Sequence, residues 1–140
     1  MEAIAFYDPG ADITCQHTAG AQGGVAVGWP TTRNPGGPAG VSDSGDGLLV
    51  VTNPVAKAAI FGITSVDVAA NGRVDIMRAP KVVPVQCAAT VNIGDDVSVN
   101  AAGKIQAAVT GDVIIGKVLM GGTTTSMAAV DLYHQPLLKP

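Results

Sequence analysis

The chain has 140 residues, a mean hydropathy of +0.35, 47% hydrophobic but only 14% charged residues, and a formal net charge of −3. No run of 18 apolar residues is present to form a spanning helix, and the eight Lys and Arg are scattered singly, with no basic stripe to displace counterions from a phosphate backbone. A membrane span and a nucleic-acid partner are therefore not expected, and with aromatics at 4% the core of this domain-sized chain must be built from small residues, chiefly Val and Ala.

Residues 1–11 come before the first strand signal. They lack a basic segment followed by a long apolar run, so no signal peptide is expected. They place Ala3, Ile4, Phe6 and Tyr7 ahead of a turn at Asp8-Pro9-Gly10, which is surplus apolar surface for a chain end and reads as an extended arm that wants a partner. Strand-like runs follow at 12–17 and 24–27. Residues 28–47 then form a loop rich in Gly and Pro, with Trp29 and Pro30 at its entrance. A loop of that length inside a compact domain is usually a contact element.

Further strand candidates lie at 48–51, 59–63, 73–77, 82–86, 96–100, 104–108, 113–120 and 128–133. Asn71-Gly72 between 66–70 and 73–77 predicts a two-residue type I′ hairpin, because both central residues of that turn need positive φ. The segment from Asn100 to Gly103, and Gly121-Gly122, mark two more antiparallel reversals. Strong polar helix formers are nearly missing: there is one Glu, at position 2. The expected fold is all-β, an antiparallel β-sandwich or small β-barrel spanning 12–133, with the arm before it and a tail at 134–140. A faint echo links Ile60-Phe61-Gly62-Ile63 to Ile114-Ile115-Gly116-Lys117, each an apolar strand carrying a glycine, and suggests two similar β units packed together.

Chemistry-bearing patterns are weak. Gly111 to Lys117 matches G-x-x-x-x-G-K, but Val118 stands where a phosphate loop needs Ser or Thr, and the intervening residues read as strand instead of helix. Cys15, His17, Cys87 and His134 are the soft and imidazole ligands, and neither C-x-x-C nor H-x₃-H spacing joins them. The cysteines are too few for a disulfide framework. Asp95-Asp96 sits in a turn, where neighbouring carboxylates point apart. No catalytic residue, cofactor site or metal site is assigned, and a non-enzymatic interaction protein is expected.

Read in order, Gly94-Asp95-Asp96-Val97, Gly103-Lys104, Gly111-Asp112-Val113-Ile114-Ile115-Gly116 and the closing run Ala129-Val130-Asp131-Leu132-Tyr133 resemble the head decoration, or capsid cement, proteins of tailed bacteriophages. The opening Asp8-Pro9-Gly10-Ala11-Asp12-Ile13-Thr14 is similar to that family's first strands. The likeness implies a virion protein, made in the host cytoplasm, that binds the outer surface of an assembled capsid as a homotrimer and clamps neighbouring major capsid subunits. On that footing Ala3, Ile4, Phe6 and Tyr7 of the arm, with Trp29 and Pro30, are the expected capsid or inter-subunit contacts. The alternative is a carbohydrate- or ligand-binding β module displayed on a particle, against which the five aromatics spread along the chain argue.

Overall fold

The computed structural model describes residues 12–34 and 47–140. They form eleven strands: β1 (Ile13–His17), β2 (Ala26–Val27), β3 (Thr32–Arg33), β4 (Leu49–Val51), β5 (Gly62–Thr64), β6 (Gly72–Met77), β7 (Val82–Val85), β8 (Asp96–Val99), β9 (Ile105–Ala107), β10 (Val113–Met120) and β11 (Ala128–Leu138). All ten expected strands are present, so the all-β reading holds. The eleventh, β3, lies inside the stretch expected to be loop. It pairs antiparallel with β4, Thr32 opposite Val50 and Arg33 opposite Leu49. The rest of that loop, residues 35–46, and the arm with Ala3, Ile4, Phe6 and Tyr7 lie outside the described residues.

Two sheets divide the chain near its middle, in strand orders β2-β5-β6-β1-β4-β3 and β7-β11-β10-β8-β9. Pairing is antiparallel except between β1 and β4, which run parallel with Cys15 opposite Leu49. In the second sheet the residues after β7 cross to the opposite edge: Ala88 N–H donates to Ile105 O (2.7 Å) and Ile105 N–H to Gln86 O (2.9 Å). Those bonds tie the β7 end to β9 and curl the sheet toward a barrel.

Burial follows the period of two. Arg73-Val74-Asp75-Ile76 in β6 alternates exposed and buried, and so does β7. The larger core joins Val83, Val85, Val97, Val99, Ile105, Ile115, Val118, Val130 and Leu132 of the second sheet to Ala26 and Ile63 of the first. The smaller one holds Cys15, Val27, Val51, Phe61, Val74 and Ile76, all from the first sheet or its approaches, so that sheet must curve around them. In β2, Ala26 feeds the larger core and Val27 the smaller, and β2 and β5 are buried along their whole length.

The echo between the halves has a physical basis. Gly62 in β5 and Gly116 in β10 each lie against a neighbouring strand so closely that a Cβ would collide with a backbone carbonyl, Met77 O or Asp131 O. It would also meet a γ-carbon, of Ile76 or Val130 respectively. Each glycine marks a close strand approach, one per sheet.

Two expectations are corrected. Residues 66–70 are not a strand, and Asn71-Gly72 is not a two-residue I′ turn. Only Asn71 has positive φ (61°), and Gly72 N–H bonds back to Ala69 O (2.9 Å), so Asn71 takes the third position of a four-residue turn. The alternation at 66–68 misleads because Asp67 points at the backbone, accepting Gly23 N–H at 2.7 Å, while β6 finds its partners in β5 and β1. The second correction concerns 134–140. β11 runs on to Leu138, with Leu137 opposite Ile114 and Leu138 opposite Val113. Its register jumps between Gly116↔Leu132 and Ile114↔Leu137, a bulge that interrupts the alternation on which the sequence reading relied.

Candidate contact surface

The groups closest to a chemical reading have structural roles. Cys15 and His17 share the inner face of β1, but Cys87 belongs to the other core. Burial pushes the Cys15 thiol up to about 11, helped by Asp75 and opposed by Arg78, and burial raises Cys87 too, so both thiols stay protonated. Among the described residues no group of three or more His, Cys, Asp or Glu comes together to hold a metal ion. The G-x-x-x-x-G-K stretch is a turn followed by β10.

The carboxylates act as fasteners. Asp112 accepts Val109 N–H (3.1 Å) and the buried Ser98 hydroxyl (3.0 Å) and faces Lys57 Nζ at 3.5 Å. The Val109 bond leads the causes that hold its carboxyl below the usual range. Asp96 lies 3.0 Å from Lys139 Nζ and 3.5 Å from Lys117 Nζ, and its pKa is lowered chiefly by the Lys139 hydrogen bond. Asp95 accepts Asn92 N–H at 2.9 Å. These contacts pin the end of β11 and the turns around β8 and β10.

The most developed surface feature surrounds Trp29. The backbone around it is held from two sides: Phe61 N–H donates to Val27 O and Gly28 N–H to Thr52 O, both at 2.9 Å. The indole meets the Phe61 ring edge-to-face, centroids 5.2 Å apart at 76°. The Arg78 guanidinium lies over both rings, 4.1 Å from the Phe61 centroid and 5.2 Å from that of Trp29, and its Nε donates to Phe61 O (2.9 Å). Trp29 nevertheless remains 56% exposed. It stands as a ridge between two concavities. One is a cleft at the junction of the sheets, lined by Ile60, Phe61, Arg78, Leu132 and Tyr133. The other is a groove bounded by Gly28, Thr31, Thr32, Thr52 and Asn53. Of the expected contact residues, Trp29 is thus prominent at the surface and anchored on its own sheet, and Pro30 beside it is half-buried. Sequence reasoning singled out Trp29 but missed Arg78 and Phe61, which lie far along the chain and carry no spacing signal.

Asp12, the first described residue, accepts at Oδ1 a hydrogen bond from Lys81 Nζ at 2.6 Å. Other large apolar side chains are exposed at the ends of the second sheet: Ile93, Leu119 and Met120 at one, Val109, Leu137 and Leu138 at the other.

No protein-family model matches the chain, and no curated protein matches it. Among solved structures the chain is similar to the N base of the head fiber gp8.5 of bacteriophage phi29, with a TM-score of 0.69 and 8% sequence identity. The match covers 92% of this chain and 98% of that one. At that identity the likeness establishes a shared all-β fold over nearly the whole length of both chains.

Proposed function

We propose that this protein is a structural component of a tailed-phage virion, a decoration protein that sits on the outer surface of the head as a trimer and clamps neighbouring major capsid subunits. The observation that carries the reading is the end-to-end fold match to the base of a phage head fiber. The ordered Gly-Asp and Gly-Lys turns of the second half, which resemble capsid cement proteins, support the decoration role. Asp96 and Asp112 are engaged with Lys and Ser side chains that brace the strands. Such a protein needs preformed surfaces rather than reactive groups, and several weak contacts in a closed three-fold ring release slowly together.

The test is co-sedimentation of the purified protein with isolated heads, followed by electron microscopy of the particles. Added density at three-fold positions, and a trimer mass for the bound form, are the expected results. Heads that pellet without the protein at every ratio would refute the proposal.

A further inference from the structure

We infer that the groove beside Trp29 is a binding site for neutral carbohydrate. Three features of the groove carry the inference. First, the indole is exposed yet fixed: Phe61 braces it edge-on and Arg78 lies over it, so a flat apolar platform is held at the surface at little further entropic cost. Second, the groove walls carry hydroxyls and an amide set among small apolar side chains. Thr18, Thr31, Thr32, Thr52 and Asn53 are all exposed, and among the described residues their side chains have no hydrogen-bond partner; Val50, Val51, Val55, Ala58 and Ala59 line the groove between them. Third, among the described residues no charged side chain lines the groove, whose volume of ≈ 390 Å³ is within the rough 300–1,000 Å³ range of ligand clefts.

Together these features match the two kinds of surface on a pyranose. Its C–H face packs on an indole, and its ring hydroxyls both donate and accept, as Thr and Asn side chains do. An acidic sugar or a phosphate finds no cation among the described residues that line the groove. A peptide is less well served. Main-chain recognition needs a long free strand edge, and β3, the edge strand here, is two residues long. The site requires nothing of how the protein is held on a particle, so it stands or falls separately from the decoration role.

The free protein can be tested directly, because Trp29 is its single tryptophan and reports on its own surroundings. Hexasaccharides of β-1,4-linked glucose, β-1,4-linked N-acetylglucosamine and α-1,4-linked glucose, and a mannan, are the probes. Polygalacturonate is the charged control. At least one neutral probe should shift Trp29 emission to shorter wavelength saturably, with a Kd tighter than about 1 mM, and polygalacturonate should not. Calorimetry on the variants then assigns the site: Trp29→Ala should weaken binding more than tenfold, and Asn53→Ala or Thr52→Val, which leave the aromatic cluster intact, by roughly three- to tenfold. If none of the neutral probes binds at about 10 mM, or if binding survives both Trp29→Ala and Asn53→Ala unchanged, the inference is wrong.

Discussion

His17 is fully buried on the inner face of β1, and among the described residues neither of its ring nitrogens has a hydrogen-bond partner. Burial lowers its pKa, so the folded protein resists the proton that the unfolded chain accepts near pH 6.5. The linkage has a definite sign. Above about pH 6.5 neither state is charged at this residue and stability is unaffected; below it the unfolded state binds more protons, and stability falls as the pH drops. Replacing the imidazole with an apolar side chain of similar size removes both the unsatisfied atoms and the acid penalty. His17→Leu should therefore raise stability by about 1 kcal/mol at pH 7.5, with a larger gap at pH 5, as read from urea midpoints. Equal midpoints at both pH values would show that the imidazole has a partner after all.

Glycines separate into two kinds at the same scale. At Gly62 and Gly116 the obstacle is backbone, which cannot swing away, so alanine at either should cost about 1–3 kcal/mol of overpacking. At Gly94 nothing lies within 4 Å of a Cβ, and only its φ of +87° opposes a side chain, which costs about 1–2 kcal/mol. Urea denaturation of the three alanine variants checks the ordering, and Gly94→Ala should be the mildest. The sequence already hinted at the first pair, since a glycine inside an apolar strand needs a reason. It gave no hint of His17, because the absence of a partner depends on what the folded sheet brings near.

Elements were legible where one face is wet and one is dry. β6, β7 and β8 through β10 could be read from Val and Ile alternation punctuated by Gly and Asn, and the Asn100 to Gly103 reversal is there, with Asn100 Oδ1 accepting from both Ala102 and Lys104 N–H at 3.0 Å. What stayed hidden is non-local. The parallel β1–β4 pair joins segments more than thirty residues apart, β3 is too short to show a period, and the Trp29 groove is assembled from residues near 18, 30 and 52. The end of β11 was hidden by its bulge, and it makes a prediction. Removing residues 134–140 deletes the Leu137↔Ile114 and Leu138↔Val113 pairing, the bonds from Gly111 N–H to Lys139 O (3.0 Å) and from Lys139 N–H to Asp112 O (2.9 Å), and the Lys139–Asp96 contact. Leu137 and Leu138 are mostly exposed, so the loss is mainly of hydrogen bonds at about 1 kcal/mol each, and Tm should fall by roughly 5–10 °C. A Tm unchanged by the truncation would mean that the last turn of pairing is not formed in solution.

At the scale of the whole molecule, two of the four sheet edges, β7 and β3, are poorly suited to joining copies edge to edge. The β7 edge carries Pro84, opposite Ala129, which offers no N–H to a newcomer, and the β3 edge is two residues long. On the proposed decoration role, residues 1–11 are the natural candidate for attachment: they are rich in apolar residues for their length and precede Asp12, which bonds to Lys81. The described members of both apolar cores lie between Cys15 and Leu132, and deleting residues 1–10 should leave the circular dichroism spectrum and Tm of the free protein close to those of the full chain. On heads the outcome should be different. If three arms engage the shell at once, each raises the local concentration of the others, and their removal should speed release from washed particles by about a hundredfold or more while single-copy encounter changes little. Timed pelleting after dilution measures that rate. Truncated protein that leaves heads as slowly as the full chain would place the grip on the body itself, with the exposed ends of the second sheet at Ile93, Leu119 and Met120 the next surface to alter.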